Sequence, residues 1–210
     1  MPKENEVQFT KLIIVEGNHE RDFFTAWLNH LNLTEIQVLP IGGKTRLAEN
    51  LRPLVKQPKF SQVESIIIVR DADDNPDGAF QSVCSALSGV NLPVPGSPEH
   101  YITQNNIKVA AVITPCNGRV GALEEILLET AETDPLYPAA IEFISTGTRT
   151  LDQTQARLAP PPHKQGKAKI HAFLATFEEP DKDPGKAALA GVWNFDHPAL
   201  NPIREILEQM

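Results

Sequence analysis

Hydrophobic positions in the first two-thirds of the chain switch between two repeat patterns. Continuous apolar runs at residues 11–15 (Leu12-Ile13-Ile14-Val15), 36–40, 65–70 (Ile66-Ile67-Ile68-Val69) and 107–114 predict buried strands. Each run is followed by a stretch whose apolar residues recur at helical spacing. Phe23, Phe24, Trp27, Leu28 and Leu31 mark a helix over 19–31, and Leu47, Leu51, Leu54 and Val55 one over 44–56. Phe80, Val83, Cys84 and Leu87 mark 77–88; Leu123, Ile126, Leu127 and Ala131 mark 120–131. Strand and helix alternating four times predict parallel strands with helical crossovers, hence an α/β sandwich with a mainly parallel four-stranded central sheet flanked by helices. Residues 89–106, rich in Pro, Gly, Ser and Asn, are expected to form a long loop. From about residue 135 the pattern is mainly helical, in "LYPAAIEFIS", "KAKIHAFLATF" and "HPALNPIREILEQM". The expected organisation is an α/β core over 1–134 and a helical C-terminal extension over 135–210 packed on it, in one compact domain. Asp196 is the expected cap of the last helix, with Pro198 in its first turn.

Two of the apolar runs end in acid. Glu16 follows Val15, and Asp71 and Asp73 follow Ile66–Arg70. Functional groups in an open parallel sheet gather at the carboxyl ends of the strands. On an extended backbone Asp71 and Asp73, two apart, project to one side, and Glu20, four after Glu16, would lean back from the first helical turn. If the first and third strands are neighbours, four carboxylates converge. Like charges at that range repel unless one keeps its proton or a cation joins them. All-oxygen ligation without His or Cys points to Mg²⁺ or Mn²⁺, the ions that serve phosphodiester cleavage. The same residues also have a purely structural use, since Asp73-Asp74-Asn75-Pro76-Asp77 makes a good turn and helix start.

Composition narrows the function classes. A formal net charge of −8 argues against a surface that grips nucleic acid along its whole length, though not against a local contact bridged by metal ions. The amino terminus lacks a signal-peptide layout and no apolar run is long enough to cross a membrane, so the chain is expected to be cytoplasmic. Its two cysteines, Cys84 and Cys116, match no metal or redox spacing and are expected to be buried free thiols. Gly43-Lys44-Thr45 ends like a phosphate-binding loop, but the required first glycine would fall at Val38, so nucleotide hydrolysis is rejected there. Gly43 and Lys44 remain candidates for contact with a substrate phosphate, as does Arg119 in the turn after the fourth strand. His19 is expected to face solvent in the first helical turn.

Val15-Glu16-Gly17 followed two strands later by Asp71-Ala72-Asp73 resembles the Toprim domain of primases, topoisomerases, RecR-like recombination proteins and OLD-type nucleases. "VEGNHERDFF", "GGK", "VRDAD" and "GALEEIL" together are most similar to stand-alone Toprim-like proteins of the DUF3226 type, related to the OLD nucleases, over about residues 10–130. The resemblance implies that Glu16 is a metal ligand or general acid/base, and that Asp71 and Asp73 are the metal-binding pair. It implies that Glu20 completes a second metal position and that Glu124 matches a later acidic one, with Glu125 its exposed-looking neighbour. OLD-type nucleases are also expected to place a lysine late in the domain to steady charge on the phosphate. "KQGKAKIHAF" offers Lys164, Lys167 and Lys169; Lys169 is the candidate catalytic lysine and Lys167 a phosphate-contact candidate. Tyr101 and Tyr137 have no supporting motif for a topoisomerase nucleophile.

The resulting expectation is a Mg²⁺- or Mn²⁺-dependent nuclease or related phosphotransfer enzyme acting on DNA or RNA. OLD proteins carry an ATPase domain that this chain lacks, which implies a separately encoded ATPase partner and, in that family, a setting in phage defence. The alternative is a non-catalytic, RecR-like module that binds nucleic acid or a protein partner.

Overall fold

The four apolar runs lie side by side as parallel strands. In the computed structural model, which describes residues 6–43, 46–154, 160, 162–179 and 183–210 (side chains of 151–154, 162 and 163 excepted), they are β1 (Lys11–Val15), β2 (Ile36–Pro40), β3 (Ser65–Asp71) and β5 (Ile107–Thr114). The sheet order is β2-β1-β3-β5-β4, and every pairing is parallel except that of the edge strand β4 (Ile102–Gln104) with β5. The fifth strand corrects the expected loop. Only three residues long and mostly exposed, it returns to β5 through Asn105-Asn106, both at positive φ (52° and 63°), as a tight two-residue hairpin turn requires.

Period-two alternation along the strands divides the apolar residues between two layers. Leu12, Ile14, Ile66, Ile68, Val109 and Ala111 face a cluster with α2 (Leu47–Leu54) and α3 (Pro76–Ser88). Ile13, Val15, Ile67, Val69, Ala110 and Val112 face the other way, against α1 (Asn18–His30) and α4 (Leu123–Thr130). That second cluster also takes in Ile170 and Phe173 of α6 (Pro162–Leu174), Ala187 and Ala188 of α7 (Pro184–Leu189), and Ile203 and Ile206 of α8 (Asn201–Leu207). The C-terminal helices thus share one core with the sheet. α5 (Tyr137–Thr154) packs alongside α6.

Local signals explain the helix ends. Asn75 caps α3 by accepting from the Gly78 N–H at 2.9 Å, with Pro76 in the first turn. Asp196 is not the cap near the C terminus. His197 takes that role for the short 3₁₀ turn Pro198–Leu200, while Asp196 pairs with Arg204 at 3.0 Å and His30 at 3.1 Å. Cys116 is buried, Cys84 partly buried, and both are free thiols. Among the described residues no helix is long and apolar enough to cross a membrane.

Candidate metal centre

The carboxyl ends of β1, β3 and β5 form one rim, because β3 pairs with both of the others. Glu16 follows the last residue of β1, and Asp71 is the last of β3, opposite Thr114 on β5. Asp71 is buried, at 8% exposure. Its Oδ1 accepts from Thr114 Oγ1 at 2.8 Å and from the Leu123 N–H at 3.1 Å. Both donors use the same oxygen, which leaves Oδ2 to other partners. Outer donors of this kind fix the orientation of a metal-binding carboxylate.

Glu20 leans back from the first turn of α1. Its Oε2 lies so close over Gly17 that a Cβ there would sit 3.1 Å away. Glu124, in the first turn of α4, faces Asp71 across the rim, and Lys167 of α6 stands between them: its Nζ is 3.7 Å from Asp71 Oδ2 and 3.8 Å from Glu124 Oε1. Arg70 flanks the other side. Its Nη1 donates to Ser82 Oγ at 2.6 Å and its Nε lies 4.0 Å from Glu16 Oε1. Neither Arg70 Nε nor Glu16 Oε1 has a hydrogen-bond partner, although both are buried.

Charge crowding is visible in the acidities. Burial and then the Asp71 charge raise Glu16 from 4.5 to about 7, with Glu20 adding to the rise and Arg70 opposing it. Burial raises Asp71 from 3.8 to about 6, against the pull of Lys167 and Thr114. Burial and Asp71 raise Glu124 from 4.5 to about 7. Burial disfavours the Lys167 ammonium, yet Glu124, Asp71, Asp73 and Glu20 outweigh it and hold its pKa above the usual lysine value. Four carboxylates from three separate segments of the chain therefore act on one cation.

A family described as "Protein of unknown function (DUF3226)" matches residues 10–210. The chain belongs to the DUF3226 family. No curated protein matches it. Among solved structures this DUF3226 chain is similar to the C-terminal region of the OLD protein of Xanthomonas campestris pv. campestris, at 18% identity and TM-score 0.49, covering 95% of this chain and 91% of that one. It is also similar to the C-terminal region of the Burkholderia pseudomallei OLD protein, at 16% identity and TM-score 0.47, covering 97% and 99%.

Several residues of the DUF3226 chain stand differently from their expected places. Asp73 is not on extended backbone. The strand ends at Asp71, and Asp73 turns to φ +50° and exchanges two backbone hydrogen bonds, of 2.7 and 2.6 Å, with Gly121. Its charge still reaches Lys167. Glu125 is not an exposed bystander: its Oε2 accepts from the Ala122 N–H at 2.6 Å and caps α4. The lysine brought to the carboxylates is Lys167. Lys169, two residues on, projects about 200° away around the helix. Arg119 pairs with Glu129. Gly43, at φ +103°, donates its N–H to the Glu16 carbonyl at 2.7 Å, which ties the β2–α2 turn to the rim; Lys44 lies outside the described residues. His19 Nδ1 meets Asp183 Oδ1 at 3.2 Å and links α1 to the start of α7. Tyr101 donates to the Ile206 carbonyl and Tyr137 packs on Phe173, both away from the acids.

Two clefts meet at Glu20. One, of about 500 Å³, runs between Glu16, Gly17 and Glu20 and the loop of Gly42, Gly43 and Arg46. The other, about 230 Å³, is lined by Glu20, Leu123, Glu124, Leu127 and Lys167. Among the described residues no three His, Cys, Asp or Glu side chains are already arranged to hold one ion together. The oxygen-only donors, with Asp71 Oδ2 outside the Thr114 and Leu123 hydrogen bonds and Glu16 Oε1 without one, fit a hard divalent cation. Lys167 supplies positive charge beside Asp71 Oδ2 and Glu124 Oε1.

Proposed function

We propose that this DUF3226 protein is a Mg²⁺- or Mn²⁺-dependent nuclease, or a related phosphotransfer enzyme, acting on nucleic-acid phosphodiesters. The observation that carries the reading is the convergence of Glu16, Asp71 and Glu124, all with raised pKa values, at one strand-end rim. Glu16, Glu20, Asp71, Asp73 and Glu124 would hold the ions. When bound, divalent ions activate water and neutralise charge at phosphorus.

The chain's own residues contribute positioning. Thr114 and the Leu123 N–H fix the Asp71 carboxylate. Arg70, anchored on Ser82, lowers the cost of charge on Glu16. Glu16, poised near neutrality, is suited to accept or return a proton at pH 7. The two clefts flanking Glu20 give a phosphodiester backbone a path across the rim, with Arg46 in one and Lys167 in the other to meet its charge. A separate ATPase partner belongs to this reading through the resemblance to OLD proteins.

The test is cleavage of single- and double-stranded DNA and RNA by the purified chain with Mn²⁺. Asp71→Asn should abolish cleavage, beyond the ~10–100-fold loss that removal of an outer-shell partner brings. Full activity in that variant would place the chemistry elsewhere. Mn²⁺ binding with no cleavage of any substrate would favour the non-catalytic module.

A further inference from the structure

Lys167 stands where a divalent ion would be held. Its distances to Asp71 Oδ2 and Glu124 Oε1, 3.7 and 3.8 Å, are nearly equal and both longer than a hydrogen bond. The attraction is therefore mainly coulombic, without fixed geometry, and the side chain is 44% exposed. Helix α6 holds the backbone in place through the stripe beside Lys167, where Ile170 and Phe173 are buried in the core. The ammonium alone is free to swing, into a cleft of about 230 Å³ that it already borders.

We infer that Lys167 is the resident counter-cation of the site, offsetting part of the charge of Asp71 and Glu124 until divalent ions bind and leaving those oxygens when they do. The inference rests on the metal reading above. Four acidic residues, Glu124, Asp71, Asp73 and Glu20, act together on this one ammonium, so without it the Asp71–Glu124 side of the rim would lose that compensating charge. A doubly charged ion on the same two oxygens would repel the ammonium, and both cannot occupy that space. Metal binding then includes the cost of displacing Lys167, which lowers the affinity of the site for the ion.

Calorimetric titration of Mn²⁺ into the full chain tests this. Lys167→Met keeps the length of the side chain and removes the competing charge, so it should bind Mn²⁺ at least about tenfold more tightly than wild type. Lys167→Arg, with the charge restored, should stay within about threefold of wild type. Equal or weaker binding by folded Lys167→Met overturns the inference while leaving the metal reading standing. No binding by wild type or Lys167→Met overturns both. Should Lys167→Met fail to fold without metal, amine acylation of the wild-type chain, read by mass spectrometry, decides. Lys167 should become several-fold more reactive on Mn²⁺ addition and Lys169 should not change; an unchanged Lys167 overturns displacement.

Discussion

A carboxylate that is costly to ionise in the native state taxes the fold at the pH where it works. Glu16 and Glu124 titrate near 7 when folded and 4.5 when unfolded, and Asp71 near 6 against 3.8. Between the two values the native state binds more protons than the unfolded chain, so stability falls as pH rises. In EDTA, the melting temperature of wild type should therefore drop relative to that of Glu16→Gln from pH 4.5 to about 7, then run parallel to it. A gap that does not change with pH would mean that folding leaves the Glu16 pKa unshifted. Asp183, held below its usual range by the Lys186 N–H and His19 despite partial burial, acts in the opposite sense. Its contribution is present above pH 3.8 and lost only as pH falls further, so it does not disturb that window. Glu16 and Asp71 are both legible from the amino-acid order alone, because a charge that ends an apolar strand has one end of the sheet to occupy. Asp73 is only half legible: its charge is evident, but its left-handed backbone depends on pairing with Gly121, 48 residues away.

At the scale of elements, the site depends on how α6 docks onto the start of α4. Gly166 lies against Glu125, and a Cβ on it would come within 2.0 Å of Oε1 and 2.5 Å of Cδ. Glu125 cannot simply turn aside, because it caps α4. Replacing a helical glycine by alanine ordinarily stabilises by about 1 kcal/mol. Here Gly166→Ala should destabilise, by roughly 1–3 kcal/mol in urea unfolding, through loss of the cap or separation of the helices. Adding Glu125→Ala should recover part of that loss, whereas an additive double mutant would show that the two residues do not meet. This docking also explains why the site lysine was hard to read in the sequence. The buried stripe of α6 runs through Gly166, Ile170, Phe173 and Leu174, and Lys167 and Lys169 lie on its opposite flanks. Periodicity identifies the stripe; only the tertiary fold decides which flank meets the rim. Likewise the four long strands announce themselves as apolar runs, while β4, with two of its three residues exposed, carries no such pattern and is signalled only by Asn105-Asn106.

For the whole molecule, the layered core and the rim pull in opposite directions. Both faces of the sheet are filled, and the last helix is fastened to the amino ends of the strands, where Lys11 and Lys108 donate to the Met210 and Gln209 carbonyls at 2.6 and 2.5 Å. The opposite end of the same strands gathers repelling carboxylates, with Lys167 between Asp71 and Glu124 and Arg70 beside Glu16. A ligand that binds this rim only in the folded state relieves the repulsion and stabilises the entire chain by mass action. At a Mn²⁺ concentration 100 times its Kd, the gain is about 2.7 kcal/mol, or roughly 5–10 °C in melting temperature for a domain of this size. Asp71→Asn should lose that shift, because the one carboxylate that faces both Glu16 and Glu124 would no longer offer a charge. Magnesium should act in the same direction and Ca²⁺, larger and less exacting in geometry, should stabilise without supporting cleavage. An equal shift in Asp71→Asn would locate the ion elsewhere on an acidic surface, since a net charge of −8 attracts cations without any built site.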